Sequence, residues 1–395
     1  MTRKRSLRTL QLIGQTAFGG TERQLVQYLK HCDKSLWNHS VAVFNPGDTG
    51  THDQDLRDLG LPFYTPPEQI VGKSKRLFWL KNICKDIKPD LIHSWTFYTN
   101  PYAAIAARMS GIPVAIGSMR SDPTIGDAKN LNVIHRKLGY NLVQHIVVNS
   151  YLAASKIHEM GVPSEKVSVV YNGIDPNSET VSKALHDELS ALGIDKKHKL
   201  LIAIGNLRHN KGMDLFIEGL ALASKKREDI RGIIVGGEVI DEPQTPTELT
   251  ALIEARGLSD KVHLMGLRYD VPMLLKRADI FGFCSRSESM PNAVIEALAA
   301  GCPVISTPVG DVPKFIDSGT NGLIIKMNNS EEFAAAVIEL LSDETKIKRI
   351  SEAGLEKFES TFACDRMARE IEDVYRSAII RKRPKMLKLF KVEQS

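Results

Sequence analysis

Cysteine is scarce in this chain of 395 residues, with five at Cys32, Cys84, Cys284, Cys302 and Cys364. The number is odd, the positions are scattered, and no two stand at a metal-ligand spacing. Neither a disulfide framework nor a zinc knuckle is indicated, and a reducing compartment fits best. No apolar run reaches about 18 residues, which argues against a transmembrane helix. No short-period repeat suggests a solenoid, and neither a Walker A loop nor a G-x-G-x-x-G turn is present. The opening MTRKRSLRTLQLIGQ imitates a signal peptide, with a basic run before an apolar one. Gln11 interrupts the apolar run, no small-residue cleavage pattern follows, and the stretch reads as a first β-strand.

What remains is an ordinary globular composition, 43% hydrophobic and 25% charged, which sets aside disorder, collagen and coiled coil. At roughly 100–200 residues per domain, the length predicts two domains. The net charge of +5 is unevenly spread. Arg3, Lys4, Arg5 and Arg8 give the first eight residues +4, and residues 376–395 carry +6, leaving the body at −5. An acidic body with basic ends does not make a nucleic-acid-binding surface. The tail KMLKLFKV interleaves Met386, Leu387, Leu389 and Phe390 with lysines. It suits either the surface of an anionic membrane or a solvated terminus.

Short apolar runs alternate with helical patterns. LRTLQLIG, HSVAVFN, PDLIHSW, IPVAIGS and HIVVNS read as strands, with helices near 20–32, 74–87, 100–109, 129–142 and 150–160. KVSVVYNGIDPNSE closes this series on turn signals, and a charged, weakly apolar stretch follows from about 177 to 198. A second series runs through KLLIAIGN, RGIIVGGE, KVHLMG, ADIFGFCS, CPVISTP and NGLIIKM, then helices near 329–341, 345–358 and 364–380. Such alternation implies βαβ units and parallel sheets buried on both faces. Ligands of such sheets bind beyond the carboxyl ends of the strands.

Three segments in those loops carry candidate chemistry. In GNLRHNKGMDLF, Gly205 ends a strand, Arg208 and Lys211 supply two cations, and Gly212 lets the chain turn into a helix. Backbone N–H groups at a helix start with two cations suit a diphosphate, although a solvated polar loop has the same composition. In QTAFGGTERQLVQYL, Gly19 and Gly20 permit a tight turn before an amphipathic helix opened by Thr21 and Glu22. In SRSESMPNAVIEALAAGCPVIS, Glu288 lies in a loop, Pro291 suits the first helical turn, and Glu296 lies within the helix. Gly301 and Pro303 then stop that helix. A carboxylate accepts hydrogen bonds from two neighbouring hydroxyls, so Glu288 suits a sugar and Glu296 a ribose.

These motifs together resemble the retaining glycosyltransferases of family 4. The pattern Glu, then Glu-Ala-x-Ala-x-Gly-x-Pro-Val, is matched by Glu288 and by Glu296 through Val304. Gly205, Arg208, Lys211 and Gly212 match the family's diphosphate loop. Gly19 to Glu22 look like its Gly-Gly-x-Glu turn, and VVNS (147–150) and YNGID (171–175) its interdomain segments. The resemblance covers roughly residues 7–380. It implies an α/β protein of the GT-B fold, two Rossmann-like domains facing each other across a cleft. An acceptor domain would span 1–176 and a nucleotide-sugar domain 177–365, with a helix in 366–395 packing back on the first domain ahead of the basic tail.

The implied reaction moves a hexose or N-acetylhexosamine, with retention, from a UDP-sugar to a hydroxyl of a lipid-linked or growing saccharide of bacterial surface polysaccharide or glycolipid. Arg208, Lys211 and Glu288 would be catalytic. Gly20, Gly205, Ser289, Met290, Pro291 and Glu296 would join them in binding the donor. No metal or cofactor is implied, because Arg208 and Lys211 take a cation's place at the departing diphosphate. His93, Arg120 and Asn172 are candidate acceptor or sugar contacts, His93 being equally well a packed core histidine. Two positions depart from the family: Ser289-Met290 stand where Gly-Phe or Gly-Leu is usual, and Arg120 where a histidine often lies. The implied location is the cytoplasm, with peripheral contact at the inner face of the plasma membrane through the basic ends. Alternatives are a nucleotide-sugar epimerase, a small-acceptor synthase, or a non-catalytic nucleotide-sugar-binding subunit of a partner transferase.

Overall fold

The computed structural model describes residues 6–16, 20–46, 52–120, 133–176, 181–386 and 390. Gly19, most of the basic tail and residues 121–132 lie outside them. The chain forms two units, residues 1–173 with 364–395, and residues 174–363.

The first unit is built on a seven-stranded sheet in the order β3-β2-β1-β4-β5-β6-β7. Its strands are β1 (Leu7–Ile13), β2 (Trp37–Val43), β3 (Phe63–Tyr64), β4 (Leu91–Ser94), β5 (Val114–Met119), β6 (His145–Val148) and β7 (Val167–Val169). Every pairing is parallel, and β1, β4, β5 and β6 are buried almost throughout, as a sheet covered by helices on both faces requires. The order reverses between β1 and β4, the switch point of a doubly wound sheet. The edges are short: β3 has two residues and β7 three, which limits unpaired N–H and C=O groups.

The chain returns to this unit through the helix Cys364–Lys382. Met367, Ala368, Ile371, Tyr375, Ala378 and Ile379 form one apolar stripe at helical spacing and join the cluster of Leu25, Trp37, Val43 and Ile116. Close approach of backbone marks the junction, since a Cβ on Gly173 would lie 2.9 Å from the Cα of Cys364. Gln24 stitches the same place, donating to Gly173 O at 2.9 Å and accepting from Gly173 N at 2.8 Å.

The second unit carries a six-stranded parallel sheet in the order β10-β9-β8-β11-β12-β13. These are β8 (Lys199–Ile204), β9 (Ile230–Val235), β10 (Val262–Leu264), β11 (Ile280–Phe283), β12 (Val304–Ser306) and β13 (Leu323–Ile324). Its switch point lies between β8 and β11. The weakly apolar stretch after 177 holds the helix Lys183–Ala191, capped by Ser182 Oγ accepting from Leu185 N at 3.1 Å. The charge content hides it in the sequence, because only Leu185 and Leu189 face the core. Among the described residues, no helix is long and apolar enough to cross a membrane.

Candidate functional site

In the second unit, three loops leave neighbouring strands of the switch point and are laced together. The loop 205–212 follows β8, and 284–291 follows β11. Arg286 N donates to Asn210 O at 2.7 Å, and Ser285 Oγ to the same carbonyl at 2.9 Å. The Arg286 guanidinium grips Asp214, Nη1 to Oδ1 at 2.8 Å and Nη2 to Oδ2 at 2.6 Å, and also donates to His209 O at 2.7 Å. The third loop, 307–311, follows β12. Thr307 Oγ1 donates to Ser285 O at 2.6 Å, and Asp311 N to Ser289 O at 3.2 Å.

Two glycines permit these approaches. At Gly212 the backbone φ is +68°, and a Cβ would stand 2.0 Å from Cys284 O. A Cβ on Gly236, just past β9, would stand 1.8 Å from Gly205 O. Neither the Arg286–Asp214 grip nor the Gly236 contact is visible in the sequence, because both depend on which strands are neighbours.

On this frame, Lys211 Nζ donates directly to Glu288 Oε1, joining two of the three expected catalytic residues. Both side chains are mostly enclosed, at 23% and 16% exposure. Arg208 turns instead to Asp241, with contacts of 2.9 and 3.0 Å, and lies 4.0 Å from Glu242. The cations expected to neutralise a diphosphate are thus each matched by a carboxylate. Ser289 and the buried Met290 lead into the helix Asn292–Ala299, whose amino end has no side-chain cap and presents the positive end of the helix dipole. Pro291 occupies the cap position and not the first turn. Glu296 lies on that helix, part-buried between Ile295 and Ala297, which are fully enclosed.

The first unit places its candidates differently. Gly20 opens the helix Gly20–His31 after β1 and is exposed. His93 is fully enclosed in β4, with Nδ1 2.6 Å from Tyr375 Oη and Nε2 2.8 Å from Ser118 Oγ. Burial, with Arg120 nearby, holds the imidazole well below its ordinary pKa. Of the two readings given to His93, the packed core histidine fits this placement: Nδ1 meets the C-terminal helix and Nε2 meets β5. Gln11 completes this network, its Oε1 accepting from Trp95 Nε1 at 2.8 Å and from Tyr375 at 3.2 Å.

Arg120 follows β5. Its guanidinium carbon sits 4.4 Å from the centroid of Trp95, and Nη1 donates to Asn172 Oδ1 at 3.0 Å. Burial lowers its pKa to about 10, which leaves it charged at neutral pH. Asn172 is buried beside it.

Comparison with known proteins follows the same division. Residues 18–178 match the model of Glycosyltransferase Family 4, and residues 186–357 that of Glycosyl transferases group 1. Among curated relatives, the lipopolysaccharide core biosynthesis mannosyltransferase LpsB of Rhizobium meliloti is 28% identical over 53% of this chain, an alignment that spans 60% of that protein's length. The UDP-Gal:alpha-D-GlcNAc-diphosphoundecaprenol alpha-1,3-galactosyltransferase of Escherichia coli is 23% identical over 84% of this chain and 86% of its own. Among solved structures, Anabaena HepE in complex with UDP superposes with a TM-score of 0.81 at 21% identity, covering 94% of this chain and all of that one. The two switch-point sheets, the motif residues gathered on them and these matches together make the chain a member of glycosyltransferase family 4, with the GT-B fold.

Proposed function

We propose that this protein transfers a hexose or N-acetylhexosamine from a UDP-sugar to a hydroxyl of a lipid-linked or growing saccharide in bacterial surface polysaccharide or glycolipid synthesis. One observation carries the reading: Lys211 and Glu288 are in direct contact at the switch point of the second sheet, on loops laced together before a helix amino end. HepE binds UDP and UDP-glucose, and the two named relatives act in lipopolysaccharide core and diphosphoundecaprenol glycan synthesis. The basic tail fits an acceptor held at an anionic bilayer.

In this reading the donor diphosphate lies before the helix amino end, where Arg208 and Lys211 take up its charge. Glu288 holds sugar hydroxyls and Glu296 the ribose. The bond from sugar C1 to the diphosphate oxygen breaks as the acceptor oxygen bonds to C1 from the same face. The departing phosphate oxygen accepts the acceptor's proton, so no side-chain base is needed and retention follows. The pairs Lys211–Glu288 and Arg208–Asp241 balance the charge of these loops.

Thermal stabilisation by a panel of nucleotides and nucleotide sugars tests the reading. A ligand at about 100 times its dissociation constant adds about 2.7 kcal/mol. UDP and one UDP-sugar are expected to stabilise the wild type and not Glu296→Ala. No response to any nucleotide at millimolar concentration would overturn it.

A further inference from the structure

The guanidinium of Arg120 has one edge in use and one edge empty. Nη1 is engaged by Asn172, and the flat face lies on Trp95. Nε and Nη2, the two N–H groups of the side-on fork, are both enclosed and have no hydrogen-bond partner among the described residues. At three other positions in this chain the same fork grips both oxygens of one carboxylate: Arg227 on Asp229, Arg256 on Glu218 and Arg268 on Asp270, all at 2.7–3.0 Å. Stacking on the indole uses the ring face and satisfies no N–H group. An enclosed, charged fork without an acceptor is costly, and two parallel bonds to an oxyanion are what its geometry fits.

A second such atom lies beside it. Asn149, following β6, donates from Nδ2 to Arg120 O at 3.1 Å, while its own Oδ1 is buried without a donor among the described residues. Trp95, Arg120, Asn149 and Asn172 follow β4, β5, β6 and β7, at the carboxyl edge where open parallel sheets bind ligands.

We infer that the Nε/Nη2 fork of Arg120 binds an oxyanion, a phosphate or a carboxylate, on the ligand of the first unit, with Asn149 Oδ1 taking a neighbouring hydroxyl. Resting on the transfer reading above, that ligand is the acceptor, which is then an anionic saccharide or saccharide phosphate.

The test uses the full-length protein titrated with inorganic phosphate, with succinate and with neutral glucose at constant ionic strength, in the presence and absence of UDP. Trp37, Trp79 and Trp95 all lie in the first unit, so indole fluorescence reports there, and Trp95→Phe identifies the contribution of Trp95. Phosphate or succinate is expected to give a saturable, Trp95-dependent change that glucose does not give. The stronger of the two anions names the group. Arg120→Lys keeps the charge, loses the fork and is expected to weaken this response about tenfold or more, the loss of a charge-assisted hydrogen bond. Arg120→Gln abolishes it; if that variant does not fold, Arg120→Lys decides. No saturable response in the wild type, or an unchanged one in Arg120→Lys, overturns the inference. UDP binding without an anion response sinks this site and leaves the transfer reading. An anion response without UDP binding does the reverse.

Discussion

At the scale of single residues, the charges of the second unit are arranged as mutual pairs, and the consequences differ with exposure. Lys211 and Glu288 are mostly enclosed, so removing either strands the other and, on the proposed function, also removes a donor contact. Lys211→Ala or Glu288→Ala is expected to lower turnover by about 10²–10³, the scale of one preorganised electrostatic contact. Near-normal kcat in both variants would remove these residues from the site. Asp241 is 65% exposed, and its pair with Arg208 is of the surface kind, worth about 0.2–1 kcal/mol. Asp241→Asn therefore frees Arg208 at little cost, and UDP is expected to bind about two- to fivefold tighter by calorimetry. Weaker binding would mean that Asp241 orients Arg208 and does not compete for it. The residue types and their loops were legible in the sequence. The pairing of Lys211 with Glu288 was not, because 77 residues separate them and only adjacency of β8 and β11 brings them together.

At the scale of elements, strands buried on both faces announce themselves as continuous apolar runs, and each run read as a strand in the sequence is one in the structure. The two-residue β3 and the helix Asp53–Asp58 gave no such signal. One is too short to show a period, and the other buries a single side chain, Leu56. Loops, by contrast, are held by close backbone approach. Gly236→Ala would push a methyl group against Gly205 O and displace the loop 205–212. It is expected to cost about 1–3 kcal/mol and to weaken UDP binding measurably. A variant as stable as wild type with unchanged UDP affinity would refute that contact. The C-terminal helix is pinned by its polar network. Tyr375→Phe leaves His93 Nδ1 without its partner and is expected to destabilise the first unit by about 1–3 kcal/mol in urea unfolding. UDP affinity, which the proposed function assigns to the other unit, is expected to stay within experimental error. The network also explains why the sequence left two readings open for His93: its partner Tyr375 lies 282 residues away.

At the scale of the whole molecule, buried histidines make the first unit acid-sensitive. Burial lowers His39 to about 3, His145 to about 4 and His93 well below 6.5. Each stays neutral in the fold while the unfolded chain takes up a proton, so stability falls as pH drops below about 6.5. The loss is up to about 1.4 kcal/mol per pH unit for each, ending near pH 4 for His145 and near pH 3 for His39. Glu22 and Glu372, whose carboxyls burial raises, act in the opposite sense, because the fold then takes up protons first as pH falls. In the second unit, burial lowers His263 as well. The melting transition followed by tryptophan emission, which reports the first unit, is expected at a lower temperature at pH 5 than at pH 7. A flat or rising transition would show that the glutamates outweigh the histidines.

What the sequence determined by itself was local: the alternation of strand and helix, the loops that carry glycine, cation and carboxylate, and the pattern from Glu288 to Val304. Such signals survive in one dimension because each arises from periodicity or from residues within a turn of one another. The tertiary structure alone decided which charges are paired, that His93 is interior, and that one edge of Arg120 has no acceptor among the described residues. Those outcomes depend on strand order and on the return of the helix Cys364–Lys382 to the first sheet. Contacts across such separations leave no periodic trace in the chain.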